Sequence, residues 1–314
     1  MPDTPPPPPN PPALRPALPT PLQPVADPRF DEHGVRLLLK RDDRIHPALP
    51  GNKYRKLALN LERARAEGHR ALLTFGGAYS NHLRATAAAG RLLGFATVGV
   101  VRGDELAHQP LNPSLAQCAA DGMRLHFVDR ATYRQKTTPA VLAALQRETA
   151  TEDAYVIPEG GSNALAVHGC TALGEELRGR TDVAAVACGT GGTLAGLAAG
   201  LAPRQRALGI PVLKGGFLAT EIRGLQRAAF GAPTANWTVD DRFHCGGFAR
   251  TTDALTAFAD DFEDRHGLPV ERVYVAKLLY ALTALSEEGA FAPGTTVTAV
   301  VTGTPEPGSA GPHS

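Results

Sequence analysis

Lys53 stands where a lysine could do covalent chemistry. It lies in Leu49-Pro-Gly-Asn-Lys-Tyr-Arg-Lys-Leu57, directly after a Gly-Asn pair. That pair predicts a tight turn, because glycine takes positive φ freely and asparagine tolerates it. Tyr54 to Arg65 then read as a helix, with leucines at 57, 59 and 61. A lysine at such a turn-to-helix junction has a stiff base and a mobile amine, which suits Schiff-base formation with a carbonyl. The competing reading is a solvated lysine at a helix start.

Three glycine-rich stretches could supply the rest of a site. Gly189-Thr-Gly-Gly-Thr193 lies between an apolar run and a small-residue helix, the place where ligands sit in open α/β sheets. Glycines let backbone N–H groups approach a phosphate, and a helix N-terminus favours the anion. Thr190 and Thr193 add hydroxyls, and a bulky residue replacing Gly191 is expected to occupy the phosphate's place and weaken binding more than stability. A dinucleotide site is the rival reading. However, Gly189-Thr-Gly191 continues Gly-Thr-Leu194, and no acid follows about 20 residues on to hold a ribose. Gly76-Gly-Ala-Tyr-Ser-Asn81 and Pro158-Glu-Gly-Gly-Ser-Asn163 share a Gly-Gly…Ser-Asn character. Ser80 is either a helix cap or, with Asn81, a ligand contact across a cleft between domains.

These loops need a scaffold, and the flanking patterns provide one. Strands are expected at 35–40, 71–75, 97–101, 124–128, 154–157, 183–187, 207–213 and 296–302. Helices are expected at 82–93, 114–121, about 139–149, 194–201, 217–230, about 252–265 and 277–288. Such βα alternation predicts an α/β protein with parallel sheets covered on both faces. Arg41-Asp-Asp43 reads as a charged turn leading toward Lys53. Residues 1–20 are proline-rich and read as a disordered tail, and 304–314 as a flexible tail.

Composition narrows the function. The 314 residues suggest about two domains. Thirty-two basic and 31 acidic side chains leave a net charge of +1, which favours neither nucleic acid nor a membrane surface as partner. The four cysteines are far apart and the ten histidines scattered, so no metal site or disulfide framework is expected, in keeping with a reducing cytoplasm. No apolar run approaches the roughly 20 residues of a membrane span. The N-terminus does not open with a basic and then apolar leader.

In this order, Gly51-Asn-Lys-Tyr-Arg-Lys-Leu57, Gly76-Gly-Ala-Tyr-Ser-Asn81 and Gly189-Thr-Gly-Gly-Thr193 resemble the 1-aminocyclopropane-1-carboxylate deaminase and D-cysteine desulfhydrase family. These are pyridoxal-phosphate enzymes similar in fold to the tryptophan synthase β-subunit, with two open twisted parallel-sheet domains around a cofactor cleft (fold type II). The resemblance covers roughly residues 20–303. It implies that Lys53 holds the cofactor covalently, and that Lys56 contacts its phosphate together with Gly189, Thr190, Gly191, Gly192 and Thr193. By the same resemblance Asn81 bonds the ring hydroxyl, Ser80 stands beside the substrate, and Tyr274 lines the site. A large domain of 21–65 and 163–303, a small domain of 66–162, a homodimer and a small amino-acid substrate are also implied.

Two departures shape the expected activity. In cyclopropane-ring deaminases a glutamate follows the tyrosine, whereas here it is Val275. A leucine expected in the last loop is Thr302, as in the D-cysteine enzymes. Beyond Thr302 the family's Gly-Gly turn and helix are replaced by Gly-Thr-Pro-Glu-Pro307. The expected reaction is therefore β-elimination and deamination, D-cysteine desulfhydrase-like, with freed Lys53 as base for the α-proton. An uncharged Thr302 near the pyridine nitrogen makes a weaker electron sink than a carboxylate. The alternatives are the cyclopropane deaminase and a non-catalytic phosphate-binding α/β protein.

Overall fold

The computed structural model describes residues 14–303. Along the chain the elements are β1 (Leu22–Val25), α1 (Pro28–Asp31), β2 (Arg36–Lys40), α2 (Asn52–Ala66), β3 (Ala71–Gly76), α3 (Asn81–Leu93), β4 (Ala96–Arg102), α4 (Pro113–Ala120), β5 (Met123–Val128), α5 (Arg130–Arg134), α6 (Pro139–Glu148), β6 (Tyr155–Val156), α7 (Ala164–Glu176), β7 (Val183–Cys188), α8 (Gly192–Gly200), β8 (Arg206–Pro211), α9 (Leu218–Phe230), β9 (Trp237–Val239), α10 (Asp253–His266), α11 (Val275–Glu287) and β10 (Thr296–Val300).

Two compact units result, one of Ala17–Arg63 with the residues from Ile157 onward, the other of Ala64–Val156. The larger holds a six-stranded sheet in the order β1-β2-β10-β7-β8-β9, and the smaller a four-stranded sheet in the order β5-β4-β3-β6. Every pairing is parallel except β1 with β2. The α/β class with parallel sheets is thus as the alternation predicts. In the larger unit β10 is buried at all five positions and β7 at five of six, as strands covered on both faces must be.

Capping residues set where the helices begin. Ser80 Oγ accepts from the Leu83 amide, Asn112 Oδ1 from Leu115, and Asn163 Oδ1 from Ala166, each satisfying a donor that the first helical turn leaves unpaired. α7 and α8 approach so closely that glycines are required between them. A Cβ on Gly196 would strike the Val167 carbonyl oxygen, and one on Gly174 the Leu197 carbonyl oxygen. This contact fixes the axis of α8, whose N-terminus carries the Gly189–Thr193 turn.

Several elements differ from the sequence expectation. β1, α1, α5, α7 and β9 are additional. β1 holds Pro24 at the sheet's edge, where a missing N–H is tolerated. α7 is apolar over most of its surface and carries Gly169 and Gly174, so it shows no polar stripe for a periodic reading to find. The strand expected at 154–157 shortens to Tyr155–Val156, which pair with Leu72 and Leu73. Part of the expected 1–20 tail is packed: the Ala17 amide donates to Ile45 O at 2.8 Å, and Thr20 is buried. Residues 1–13 and the 304–314 tail lie outside the described residues. Among the described residues no helix is long and apolar enough to cross a membrane, and no His, Cys, Asp and Glu group suits a metal ion. None of the four cysteines is in a disulfide.

Candidate active site

The Lys53 turn is built against the end of β10. Gly51 has φ +67°, and a Cβ there would coincide with the Thr302 carbonyl, so both the conformation and the close approach demand glycine. The Gly51 amide donates to Asp42 O at 2.9 Å. The Asp42 carboxylate in turn accepts from Arg55 Nε at 2.8 Å and Nη2 at 2.9 Å. Arg55 also donates to Glu176 at 2.9 and 3.1 Å, and Lys40 pairs with Glu176 at 2.5 Å. Thr20 Oγ1 donates to Asp42 at 2.7 Å. Asp42, Arg55 and Lys40 are all nearly inaccessible. The charged turn of the sequence reading is therefore a buried ionic clamp on both sides of Lys53.

Lys53 itself keeps part of its surface accessible. Even so, protein packed around it pushes its amine down to about 8, with Cys170 and Glu271 pulling weakly the other way. Among the described residues its amine makes one long hydrogen bond, to Asn52 Oδ1 at 3.4 Å, and no ion pair. An amine with a partly neutral population near pH 8 and no carboxylate partner is available as nucleophile and base.

One helical turn on, Lys56 is buried and donates to Ser162 Oγ at 2.6 Å and Thr190 Oγ1 at 3.3 Å. Burial, then the neighbouring Lys53 charge, push the Lys56 amine down to about 7. The Ser162 and Thr190 hydroxyls are 2.5 Å apart, and Asn52 Nδ2 donates to Thr193 Oγ1 at 2.7 Å. Gly192 opens α8 into this group: a Cβ there would come within 2.8 Å of Ser162 Oγ and 3.3 Å of Lys56 Nζ. Among the described residues, a cation, three hydroxyls and the first amides of a helix lie together here with no acid hydrogen-bonded to Lys56, an arrangement suited to cradling a phosphate.

The role expected of the Gly191 α-carbon is corrected. Gly191 has φ +77°, and its Cβ would meet Ile222 Cγ1 at 2.7 Å and Leu218 Cδ1 at 3.1 Å. A side chain there points into the apolar core, not at the phosphate's place. Gly192 is the glycine whose missing side chain leaves the cradle open.

Tyr274 precedes α11, and its hydroxyl lies over Gly189, where a Cβ would be 3.4 Å away. Burial and the nearby Glu271 hold its phenol well above the usual range, so it is a neutral donor. Glu271 is a residue the sequence reading missed. Its carboxylate accepts the amides of Val273, Tyr274 and Val275 at 2.8, 2.7 and 3.2 Å. Burial raises its pKa against the pull of those amides. An acid four residues before an apolar helical run was its available signal. Ser162 was also missed as a named site residue, although its Gly-Gly-Ser-Asn setting was noted.

In the smaller unit Ser80 caps α3, and Asn81 opens that helix with its Oδ1 accepting from Arg84 Nη2. Of the expected site residues, Lys53, Lys56, Gly189, Thr190, Gly191, Gly192, Thr193, Tyr274 and Thr302 all fall in the larger unit.

The chain matches the sequence profile of the family described as pyridoxal-phosphate dependent enzyme over residues 14–303. A bifunctional D-cysteine desulfhydrase/1-aminocyclopropane-1-carboxylate deaminase of Arabidopsis thaliana is 32% identical over 58% of this chain, a match spanning 49% of that relative's length. A D-cysteine desulfhydrase of Klebsiella pneumoniae is 29% identical over 84% of this chain and 85% of its own. The crystal structure of an ACC deaminase homologue superposes with a TM-score of 0.81 at 26% identity, covering 94% of this chain and 91% of its own.

Proposed function

Because the chain belongs to the pyridoxal-phosphate-dependent enzyme family, we propose that it catalyses β-elimination and deamination of a small amino acid, D-cysteine desulfhydrase-like, giving pyruvate, ammonia and sulfide. The observation that carries this reading is the pairing of an acid-free amine at Lys53 with the acid-free hydroxyl and ammonium cradle at Lys56, one helical turn away. Those residues fit the cofactor: Lys53 would hold its aldehyde carbon, and Lys56, Ser162, Thr190, Thr193 and the first amides of α8 its phosphate. When bound, pyridoxal phosphate supplies the electron sink that makes an amino acid's α-proton acidic.

The chain's own groups supply the rest. Lys53 Nζ, lowered to about 8, holds the proton taken from the α-carbon, and its tether at the Gly51 turn keeps it in place. Tyr274, neutral and held by the Glu271-capped helix start, orients groups above Gly189. Ser80 is assigned to the substrate and Asn81 to the ring hydroxyl on the strength of their match to the family's loop. Val275, buried in the core, follows Tyr274 where an acid would stand in a cyclopropane-ring deaminase. Thr302 presents no carboxylate either, and both features favour loss of a thiolate over cleavage of a cyclopropane ring. The resemblance also supports a homodimer, which sedimentation velocity tests, and the wide spacing of the four cysteines along the chain supports a cytoplasmic location, which cell fractionation tests.

A panel of D- and L-amino acids with the cofactor-loaded protein tests the reaction. Pyruvate, ammonia and sulfide from D-cysteine are expected. Robust turnover of the cyclopropane substrate with none from cysteine would overturn the reading. Borohydride reduction and peptide mapping test the lysine: label on Lys56 or Lys277 instead of Lys53 would refute the assignment.

A further inference from the structure

Lys277 is a buried amine that the chemistry above does not use. It lies on α11, three residues after Tyr274, and is fully inaccessible. Its ammonium donates to His244 O at 2.9 Å and Gly247 O at 2.7 Å. Among the described residues no carboxylate pairs with it, although the fields of Cys245 and Glu271 favour its charge against burial. An ammonium is costly to bury without a counter-ion, and a methionine would fill the same space without that cost. Its acceptors are both carbonyls of one loop.

That loop is strained. Cys245 and Ala249 have φ of 50° and 54°, with Gly246 and Gly247 at 86° and 117° between them. Non-glycine residues in the left-handed region persist where surrounding contacts over-determine them, and they cluster at functional sites. The next residue, Phe248, sets its ring edge-on to Tyr274 with centroids 6.1 Å apart, and remains 37% exposed. The Glu271 cap therefore holds Tyr274 at the start of α11, while Lys277, in that helix's first turn, holds the loop that meets it.

We propose that Lys277 is a positioning residue: its ammonium holds the strained loop 244–250 so that Phe248 and Tyr274 form one fixed wall for substrate binding. This rests on the β-elimination reading for its substrate, but not for the loop itself. The wall acts on substrate affinity and not on cofactor attachment, because the partners of Lys277 are His244 O and Gly247 O and that of Phe248 is the Tyr274 ring, none of them Lys53 or Lys56.

The test compares Lys277→Met and Phe248→Ala with the parent, each loaded with cofactor. In Lys277→Met the amides of 245–249 should exchange about tenfold faster, and trypsin should cut faster after exposed Arg250. KM for D-cysteine should rise about tenfold with kcat within about twofold, and cofactor absorbance should be unchanged. Phe248→Ala, at an exposed position that folding does not need, should raise KM similarly without loosening α11. Unchanged loop exchange in Lys277→Met overturns the holding role. A released loop with unchanged KM, or a Phe248→Ala variant with unchanged KM, overturns the positioning role. If the parent acts on no amino acid, the functional reading fails, while loop exchange still decides whether Lys277 holds the loop.

Discussion

The chain uses a Gly-Gly…Ser-Asn turn twice, and the two copies spend their polar residues differently. At Gly76–Asn81 the serine caps: Ser80 Oγ takes the Leu83 amide, and Asn81 is the residue beyond the cap. At Pro158–Asn163 the asparagine caps: Asn163 Oδ1 takes the Ala166 amide, and Ser162, one residue before, is released to Lys56. A helix needs one cap, so a Ser-Asn pair always has one member left over. Shifting the helix start by one residue decides which member is left to meet a ligand. In the larger unit it is a hydroxyl beside an ammonium, suited to phosphate. In the smaller it is an amide, suited to a neutral or phenolic oxygen.

The same division of labour runs through Gly189–Thr193 and sets the largest expected effect. Gly191→Val forces a β-branched residue to φ +77° and drives it into Ile222. A loss of about 3 kcal/mol of stability is expected from the strained backbone and overpacking together, read by denaturant titration. Gly192→Ala meets Ser162 and Lys56 instead, so it should lower cofactor affinity at least about tenfold with stability nearly kept. Cofactor binding lost equally in both variants, with neither destabilised, would show that the two glycines do not divide in this way.

Next come the caps. Asn163→Ala removes the α7 cap and also the two hydrogen bonds, at 2.7 and 3.2 Å, that its side chain shares with buried Asn60. A loss of about 2–3 kcal/mol is expected. Ser80→Ala removes a cap alone, bonded at 3.3 Å, and should cost about 1 kcal/mol. Ser162→Ala should leave stability nearly unchanged and weaken cofactor binding about tenfold, the value of one charge-assisted hydrogen bond. If Ser162→Ala destabilises the apo protein as much as Asn163→Ala, the serine is part of the fold and the contrast between the two turns fails.

Much of this was legible in the sequence. Strand-to-helix alternation is written in apolar runs and glycine breaks, and Lys53, Lys56 and the Gly189–Thr193 loop stand out by residue type alone. What stayed hidden depends on residues far apart in the chain. Asp42, Arg55 and Glu176 look like solvated charges until folding buries them against each other. Gly191 and Gly192 are indistinguishable as letters, and only their φ angles and neighbours separate a core glycine from a cradle glycine. Glu271 and Lys277 look like an ordinary helix-start acid and helix lysine, whereas their partners are amides and loop carbonyls.

A further effect concerns protons at the cradle. Lys56 is lowered from 10.5 to about 7 by burial and by Lys53. Between about pH 7 and 10.5 the unfolded chain therefore binds a proton at Lys56 that the folded, cofactor-free chain does not. By linkage, stability rises with pH across this window, and the cost of the buried ammonium is fully present below about 7. A phosphate placed against Lys56 favours the protonated form and reverses the preference. Affinity for inorganic phosphate should then be greatest below about pH 7 and decline as pH rises, because binding must take up a proton. Thermal midpoints of the cofactor-free protein from pH 6 to 9 should climb more steeply in the parent than in Lys56→Met, where this group no longer titrates. Phosphate should flatten the parent's curve and leave that of Lys56→Met unchanged. Phosphate affinity that is flat from pH 6 to 9 would mean that Lys56 stays charged in the free protein, and the cradle would then owe its selectivity to the α8 amides and hydroxyls instead of to a switchable amine.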